Sequence, residues 1–158
     1  MKKTPLKRTA FRKRKSPKQK QRHLCDYMWG TIIILRDKIC QYCGKNKATT
    51  GHHIFAKGRV PHMRYNLKIG IGLCGGCHSF AAHTNPEEFR HVNIRHVGGE
   101  QQYETLKVLA GMHAIKQDLS MTEIVLWQHL KEYVMKPINW AEMSHTAKIK
   151  FLREKRNG

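Results

Sequence analysis

The sequence predicts an α+β fold in which helices surround a small β segment that is braced by a metal ion. Apolar residues recur at helical spacing in several stretches of the chain. Two short extended segments are expected at residues 48–54 and 68–73, and a Cys pair stands near each of them. The 158 residues suit one domain with a modest core, which a bound metal would reinforce.

Residues 1–22 are expected to form a disordered basic tail. Between Lys2 and Arg22 the chain has 11 basic residues, no acidic residue and no apolar periodicity. The whole chain has 30 Lys and Arg residues against 11 Asp and Glu residues, a formal net charge of +19. Such a surplus attracts polyanions, so nucleic acid is the expected partner, and the tail would become ordered on it.

One helix is predicted to precede the first Cys pair, beginning near His23 and closing at residues 36–38. Its apolar residues recur at helical spacing, namely Leu24, Met28, Ile32 and Leu35. The sequence C-Q-Y-C-G then runs from Cys40 to Gly44. This pattern is typical of a zinc knuckle, a tight turn in which the glycine accepts a left-handed backbone.

Several helices are predicted after the second Cys pair. Asn85 is a candidate N-cap with Pro86 at the first helical position, and Ser120 with Glu123 forms a candidate capping box. Pro137 is expected to end the helix that follows this box. In chain order, these helices begin near residue 75, span 86–96 and about 100–109, follow the box at 120–123, and span about 141–153. We divide the chain into the tail 1–22, a domain 23–136 and a basic C-terminal helix 137–158.

Four of the five cysteines occur as C-x-x-C pairs, which is the spacing of one closed structural zinc site. The predicted zinc ligands are Cys40, Cys43, Cys74 and Cys77. A redox dithiol is the alternative, but two pairs around one segment favour a metal. Cys25 is interpreted as an ordinary helix residue. Thiolate–metal chemistry is typical of a reducing compartment and no apolar run has the length of a membrane span, so we expect a cytoplasmic protein without membrane contacts.

Histidines lie between and after the Cys pairs. His52 and His53 are adjacent, so in a strand their side chains point to opposite faces. One imidazole can then bind a metal while the other acts on a water molecule as a general base. His78 follows Cys77 directly and can supply a second ligand from the helix, and Asn66 can hold the base ring in one tautomer.

The order of a Cys pair, H-H-I, N-L and a Cys pair followed by His resembles the HNH endonucleases over about residues 38–83. The resemblance implies a small ββα-metal core with a four-Cys zinc knuckle. It implies that His52 is a metal ligand, at a position where many members have Asp, and that His53 is the general base. Asn66 would be the central Asn, and His78 the closing metal ligand.

A looser resemblance is to the phage recombination nucleases called NinG or Rap. It is carried by R-Y-N before the second Cys pair and by I-R-H-V-G-G-E after it. Those proteins typically show A-G-H, R-F-N or R-F-D, and a Cys pair followed by Asn, whereas this chain has G-H-H and a Cys pair followed by His. The resemblance implies a role in phage DNA recombination or replication in the host cytoplasm, with a partner protein from that process.

The HNH resemblance implies metal-dependent hydrolysis of DNA phosphodiester bonds. His52 and His78 would hold a divalent cation, with Mg or Mn expected and Zn or Ni as alternatives, while His53 takes a proton from the attacking water. His83, five residues after His78, is a weaker third-ligand candidate. The loop between the strands supplies candidate contacts to the nucleic-acid backbone, namely Lys57, Arg59 and Arg64.

Two other functions fit part of the sequence. A zinc-binding nucleic-acid module without catalysis explains the charge and the thiols, but not why His-His, Asn and Cys-His fall at the HNH positions. A zinc-dependent scaffold that recruits a partner through the helical C-terminal part is the second alternative. Nuclease activity separates the first hypothesis from both.

Overall fold

A computed structural model describes residues 14–80, 84–112, 116–134 and 138–157 of the chain. Within these ranges it contains six α helices and one two-stranded antiparallel sheet, which confirms the α+β class. The helices are α1 (Pro17–Asp37), α2 (Gly75–Ser79), α3 (Pro86–His96), α4 (Glu100–Gly111), α5 (Leu119–Lys131) and α6 (His145–Asn157), and the strands are β1 (Thr50–His53) and β2 (Gly70–Leu73). None of the helices in these ranges combines the length and the apolar character that crossing a bilayer requires.

Helix α1 begins at Pro17, six residues before its predicted start at His23. The Ser16 side chain accepts a hydrogen bond from the Gln19 amide, and the Gln19 side chain accepts one from the Ser16 amide, so a capping box starts the helix. Residues 17–22, predicted to be part of the disordered tail, are therefore helical; residues 1–13 of that tail lie outside the described ranges. Periodicity missed this first turn because its side chains are polar and exposed.

Helix α1 is the central element of the fold. It packs against α5 and α6 on one side and against both strands on the other. Its second half is buried on every face, because apolar residues follow one another without a polar stripe there. The core between the three helices includes Met28, Ile32, Leu126, Leu130, Trp140 and Leu152.

The sheet holds His52 opposite Ile71 and His53 opposite Gly70 in an antiparallel register. The knuckle is joined to the same sheet, since the Gln41 amide donates to the Gly72 carbonyl at 2.9 Å. Helix α1 lies unusually close to β1: a Cβ atom at Gly51 would stand 3.0 Å from the Cα atom of Gly30. The absence of a side chain at Gly51 therefore allows the strand backbone to touch the helix backbone at Gly30.

A buried polar network joins the end of α1 to β2 and α3. Asp37 accepts hydrogen bonds from Arg36 at 2.6 Å and from the Gly72 amide at 2.6 Å. Arg36 also donates to the Gly70 carbonyl at 2.7 Å, and the His96 Nε2 atom lies 2.8 Å from the same oxygen. His96 thus contributes to holding β2 in place, although it belongs to no predicted site.

The helices after the sheet follow the predicted order, with one different cap. Asn85 caps α3 by accepting from the Glu88 amide, as predicted. The cap of α5 is Asp118, whose side chain accepts from the amides of Ser120 and Met121. The predicted Ser120–Glu123 capping box is therefore wrong.

Glu123 instead pairs with Lys148 of α6 at 2.7 Å. Helix α5 ends at Lys131, and Pro137, its predicted terminator, lies outside the described ranges. The last predicted helix is divided into a short 3-10 helix at Trp140–Glu142 and α6, which starts four residues later than predicted.

The contact between α1 and β1 predicts that Gly51→Ala destabilises the fold. The new Cβ atom would meet backbone atoms of Gly30, which cannot rotate away, so we expect the free energy of unfolding to fall by about 1–3 kcal/mol. Urea denaturation measures this change. Gly58→Ala is the matched control, because nothing lies within 4 Å of a Cβ atom at that exposed position. Equal stabilities of the two variants would contradict the prediction.

Candidate functional site

The four paired cysteines converge on one point. Their sulfur atoms all lie within 4.8 Å of one another, with Cys40 and Cys74 buried and Cys43 and Cys77 partly exposed. A tetrahedral zinc ion with bonds of about 2.3 Å separates its sulfur ligands by about 3.8 Å. The cluster is therefore compatible with a single structural zinc ion, which these four residues would hold.

Backbone hydrogen bonds shape both halves of the cluster. Gly44 has the left-handed φ of 64° expected of the knuckle, and its amide donates to the Cys40 carbonyl at 2.8 Å. The Cys40 amide in turn donates to the Asn46 carbonyl at 2.8 Å. On the other side, the His78 amide donates to the Cys74 carbonyl at 2.9 Å and starts α2. These hydrogen bonds fix the two turns that carry the four sulfur atoms.

The local electrostatics favour thiolates at two of the four positions. Hydrogen bonds from the backbone of Asn46 and Lys45 lower the pKa of Cys43 to about 6. The backbone at Cys77 likewise lowers the pKa of Cys74, whereas burial raises the pKa of Cys77. Several thiolates this close repel one another unless a cation lies between them.

Cys25 does not belong to this cluster. It is fully buried in α1, its Sγ atom lies 3.6 Å from the Leu119 carbonyl, and burial raises its pKa to about 12. An apolar, neutral thiol of this kind packs as a small hydrophobic residue.

His52 and His78 lie together on the α2 face of the sheet. Their ring centroids are 5.2 Å apart with an interplanar angle of 72°, and the Phe89 ring stands 5.2 Å from His52 on the same face. The structure therefore places the two predicted metal ligands side by side. His83 lies outside the described ranges, and in the described part of the chain the four cysteines are the only group of three or more potential ligands.

His53 points to the opposite face, towards α1. Its ring stacks on Trp29 with centroids 3.7 Å apart and an interplanar angle of 11°. Its Nε2 atom lies 2.8 Å from the Arg64 carbonyl, and because a carbonyl only accepts, Nε2 carries the proton of the neutral ring. Burial lowers the pKa of His53 below 6.5, so the ring is neutral at pH 7 and Nδ1 is its proton acceptor.

The His53 ring is fixed by the hydrogen bond that it donates to the Arg64 carbonyl, and not by the Asn66 side chain. The Asn66 side chain instead accepts from the Lys68 amide at 2.9 Å, which starts the 3-10 helix Leu67–Ile69. The Asn66 carbonyl accepts from the Trp29 indole at 3.2 Å. Asn66 is thus linked to His53, the candidate base, through the Trp29 ring, which stacks on His53. Sequence reasoning missed the Arg64 carbonyl because any residue could have supplied it.

The Arg64 side chain is engaged within the protein. It forms two hydrogen bonds of 2.7 Å with both carboxylate oxygens of Asp26 in α1, and this contact raises the pKa of Arg64. A guanidinium that is neutralised in this way is a poor phosphate clamp, so its predicted contact with nucleic acid has no support in this geometry. Lys57 and Arg59 are exposed, as expected of nucleic-acid contacts, and Lys57 lies beside the cleft that contains His53.

Comparison of the chain with protein-family models, with curated proteins and with solved structures gave no match. The functional conclusion therefore depends on the geometry of these residues. They form three neighbouring units: a four-Cys cluster, a pair of imidazoles on one face of β1, and a single oriented imidazole on the other.

The cysteine cluster predicts that Cys74→Ser abolishes zinc binding. The zinc content should fall from about one ion per chain to none, and thermal unfolding should shift to lower temperature, because metal binding is linked to folding. Elemental analysis and a thermal melt measure both effects.

Cys25→Ala is the control and should keep its zinc. In the wild-type protein a chelator should expose four thiols to alkylation, while Cys25 stays unmodified because it is buried with a pKa of about 12. Full zinc occupancy in Cys74→Ser would contradict the assignment of this site.

Proposed function

We propose that this protein is a metal-dependent endonuclease of the HNH type that hydrolyses phosphodiester bonds in DNA. The observation that carries the proposal is the division of His52 and His53 between the two faces of β1. His52 meets His78 on one face, and His53 is held as an oriented, neutral imidazole on the other. A purely structural histidine pair needs no such arrangement.

The geometry suits an in-line displacement at phosphorus. In that reaction the attacking water and the departing oxygen lie on opposite sides of the phosphorus atom. A base on one face of β1 and a cation site on the other would serve these two positions. His53 accepts the proton of the attacking water at Nδ1, and the hydrogen bond from Nε2 to Arg64 then stabilises the charged imidazolium.

His52 and His78 are the residues that would hold the divalent cation. A cation bound there supplies Lewis-acid stabilisation of the charge on the phosphate and on the departing 3′ oxygen. Two imidazoles suit Zn or Ni as donors, whereas Mg and Mn prefer oxygen ligands. A cation held by these two residues alone would leave room for water and phosphate oxygens as further ligands, as catalysis requires.

The charge of the protein supports nucleic acid as the substrate. The formal net charge of +19 attracts the phosphate backbone at long range, and Lys57 and Arg59 lie exposed in the loop between the strands. The looser resemblance to phage recombination nucleases suggests branched or nicked DNA as the substrate class. A protein partner from recombination or replication belongs to the same proposal.

A zinc-binding nucleic-acid module without catalysis is the second candidate function. The four-Cys cluster and the charge favour it, because both serve binding as well as cleavage. The orientation of His53 supports cleavage over binding alone, because a general base must be neutral and held in position.

The proposal predicts that His53→Ala abolishes cleavage and leaves zinc content and DNA binding unchanged. Loss of a general base typically lowers the rate by about 10²–10⁴-fold. Cleavage of plasmid, nicked and branched DNA with Mg or Mn measures the effect. His129→Ala is the control, because that ring lies exposed on α5, away from the sheet.

Two results would overturn the proposal. One is cleavage by His53→Ala at the wild-type rate. The other is a wild-type protein that binds these DNAs and cuts none of them with any divalent cation, which would favour the binding module.

The lowered pKa of His53 predicts the pH dependence of cleavage. The base works only when neutral, so the half-maximal rate should lie below pH 6.5, and the rate should fall about tenfold per pH unit below the pKa of His53. Rates measured from about pH 4.5 to about pH 8, with an NMR titration of the His53 ring, test this. A half-maximal rate above pH 7 would contradict the lowered pKa.

A further inference from the structure

We infer that the cleft beside His53 binds a phosphate group of the nucleic acid, with Arg156 of α6 as its principal ligand. This inference rests on the proposed function for the identity of the ligand, but it can be tested without cleavage. The C-terminal helix α6, to which no part in the site was predicted, would then contribute to it.

The cleft lies between α1, β1 and α6 and has a volume of about 270 Å³. His53 lines it from the sheet and Trp29 from α1, and the charged or titratable residues of the lining include Arg156, Lys57, His23 and Asp26. Asp26 is the only acidic residue among those lining it, and Arg64 occupies both of its carboxylate oxygens. The remaining charge in the cleft is positive.

The guanidinium of Arg156 is half-buried and has only neutral partners. Its Nε atom donates to the Thr31 hydroxyl at 2.8 Å, and Nη2 donates to the Tyr27 carbonyl at 2.7 Å. The guanidinium carbon lies 3.8 Å from the centre of the Tyr27 ring. In the described part of the chain, no carboxylate lies within ion-pair distance of Arg156, and its Nη1 atom donates no hydrogen bond.

This arrangement leaves donors and charge for an anion. A guanidinium has five N–H donors and stays charged in proteins, and two of the five are used here. A partly buried cation without a counter-charge is unfavourable, and a bound oxyanion would relieve that cost. A phosphate matches the fork of the remaining donors.

Helix α1 is built to accommodate this side chain. A Cβ atom at Gly30 would stand 2.7 Å from Nη2 of Arg156, so the guanidinium occupies space that any other residue would fill. Glycine inside a helix costs about 1 kcal/mol relative to alanine. Gly30 therefore leaves room for the Arg156 guanidinium in the cleft that His53 also lines.

The entrance to the cleft is also basic. The rings of His23 and His145 lie 6.2 Å apart where α1 and α6 meet, and Lys15 and Arg153 act electrostatically on His23. Lys57 adds a positive charge to the lining itself, whereas burial lowers the pKa of His23 and of His145, so these two rings are neutral at pH 7. A phosphodiester backbone entering here would bring one phosphate to Arg156 and a neighbouring one to His53.

The experiment compares Arg156→Gln with Arg95→Gln, an exposed arginine on α3 that does not line the cleft. Affinity for a duplex DNA oligonucleotide is measured by fluorescence anisotropy in EDTA, so that cleavage plays no part. We expect Arg156→Gln to weaken binding about tenfold and Arg95→Gln to weaken it less than about twofold. Equal losses in the two variants would overturn the inference.

A measurement on the wild-type protein covers the case in which Arg156→Gln does not fold. The Arg156 Nε resonance, identified by its absence in Arg156→Lys, is followed during titration with inorganic phosphate and with the DNA. A shift with DNA supports the inference, and no shift with either ligand overturns it. A shift with phosphate alone would assign the cleft to a small phosphate compound and overturn the role in DNA binding. Loss of cleavage in His53→Ala bears only on the proposed function.

Discussion

The backbone contact between α1 and β1 determines the geometry of everything around the sheet. Because Gly51 has no side chain, the strand lies directly on the helix at Gly30. As a result, Trp29 reaches the face of the His53 ring and Asp26 reaches the Arg64 side chain. The two contacts come from successive turns of α1. The helix therefore holds in position both the His53 ring and the loop that contains Arg64.

The other face of the sheet depends on the cysteine cluster. Cys74 and Cys77 flank the start of α2, and His78 follows them at once, so a metal in the cluster would also fix the backbone that carries this ring. Two independent supports thus meet at one short sheet: helix packing on one face, and the sulfur cluster on the other. A pair of strands with only four residues each would be marginal without them.

Features that depend on neighbours in the chain were predicted only in part, since the Ser120–Glu123 capping box was wrong and the Ser16–Gln19 box was missed. Long-range pairings of side chains were not predicted. The C-x-x-C spacing and the Asn85 cap depend on neighbours in the chain, and the structure shows both. The ion pair between Arg64 and Asp26 joins residues 38 positions apart in the sequence, and no local sequence pattern predicts it. The same is true of the Arg64 carbonyl at His53 and of Arg156 over Tyr27, which depend on how α1 meets the loop and α6.

The adjacency of His52 and His53 restricts how this protein can tolerate insertions and deletions. Side chains alternate between the faces of a strand, so adding or removing one residue in the turn between Cys43 and β1 would exchange the two faces. His52 would then point towards α1 and His53 towards α2, each displaced by one residue along the strand, so neither imidazole would keep its present neighbours. Single-residue length changes in this turn should therefore be far more damaging than substitutions, whereas the exposed loop around Gly58 is free to vary in length.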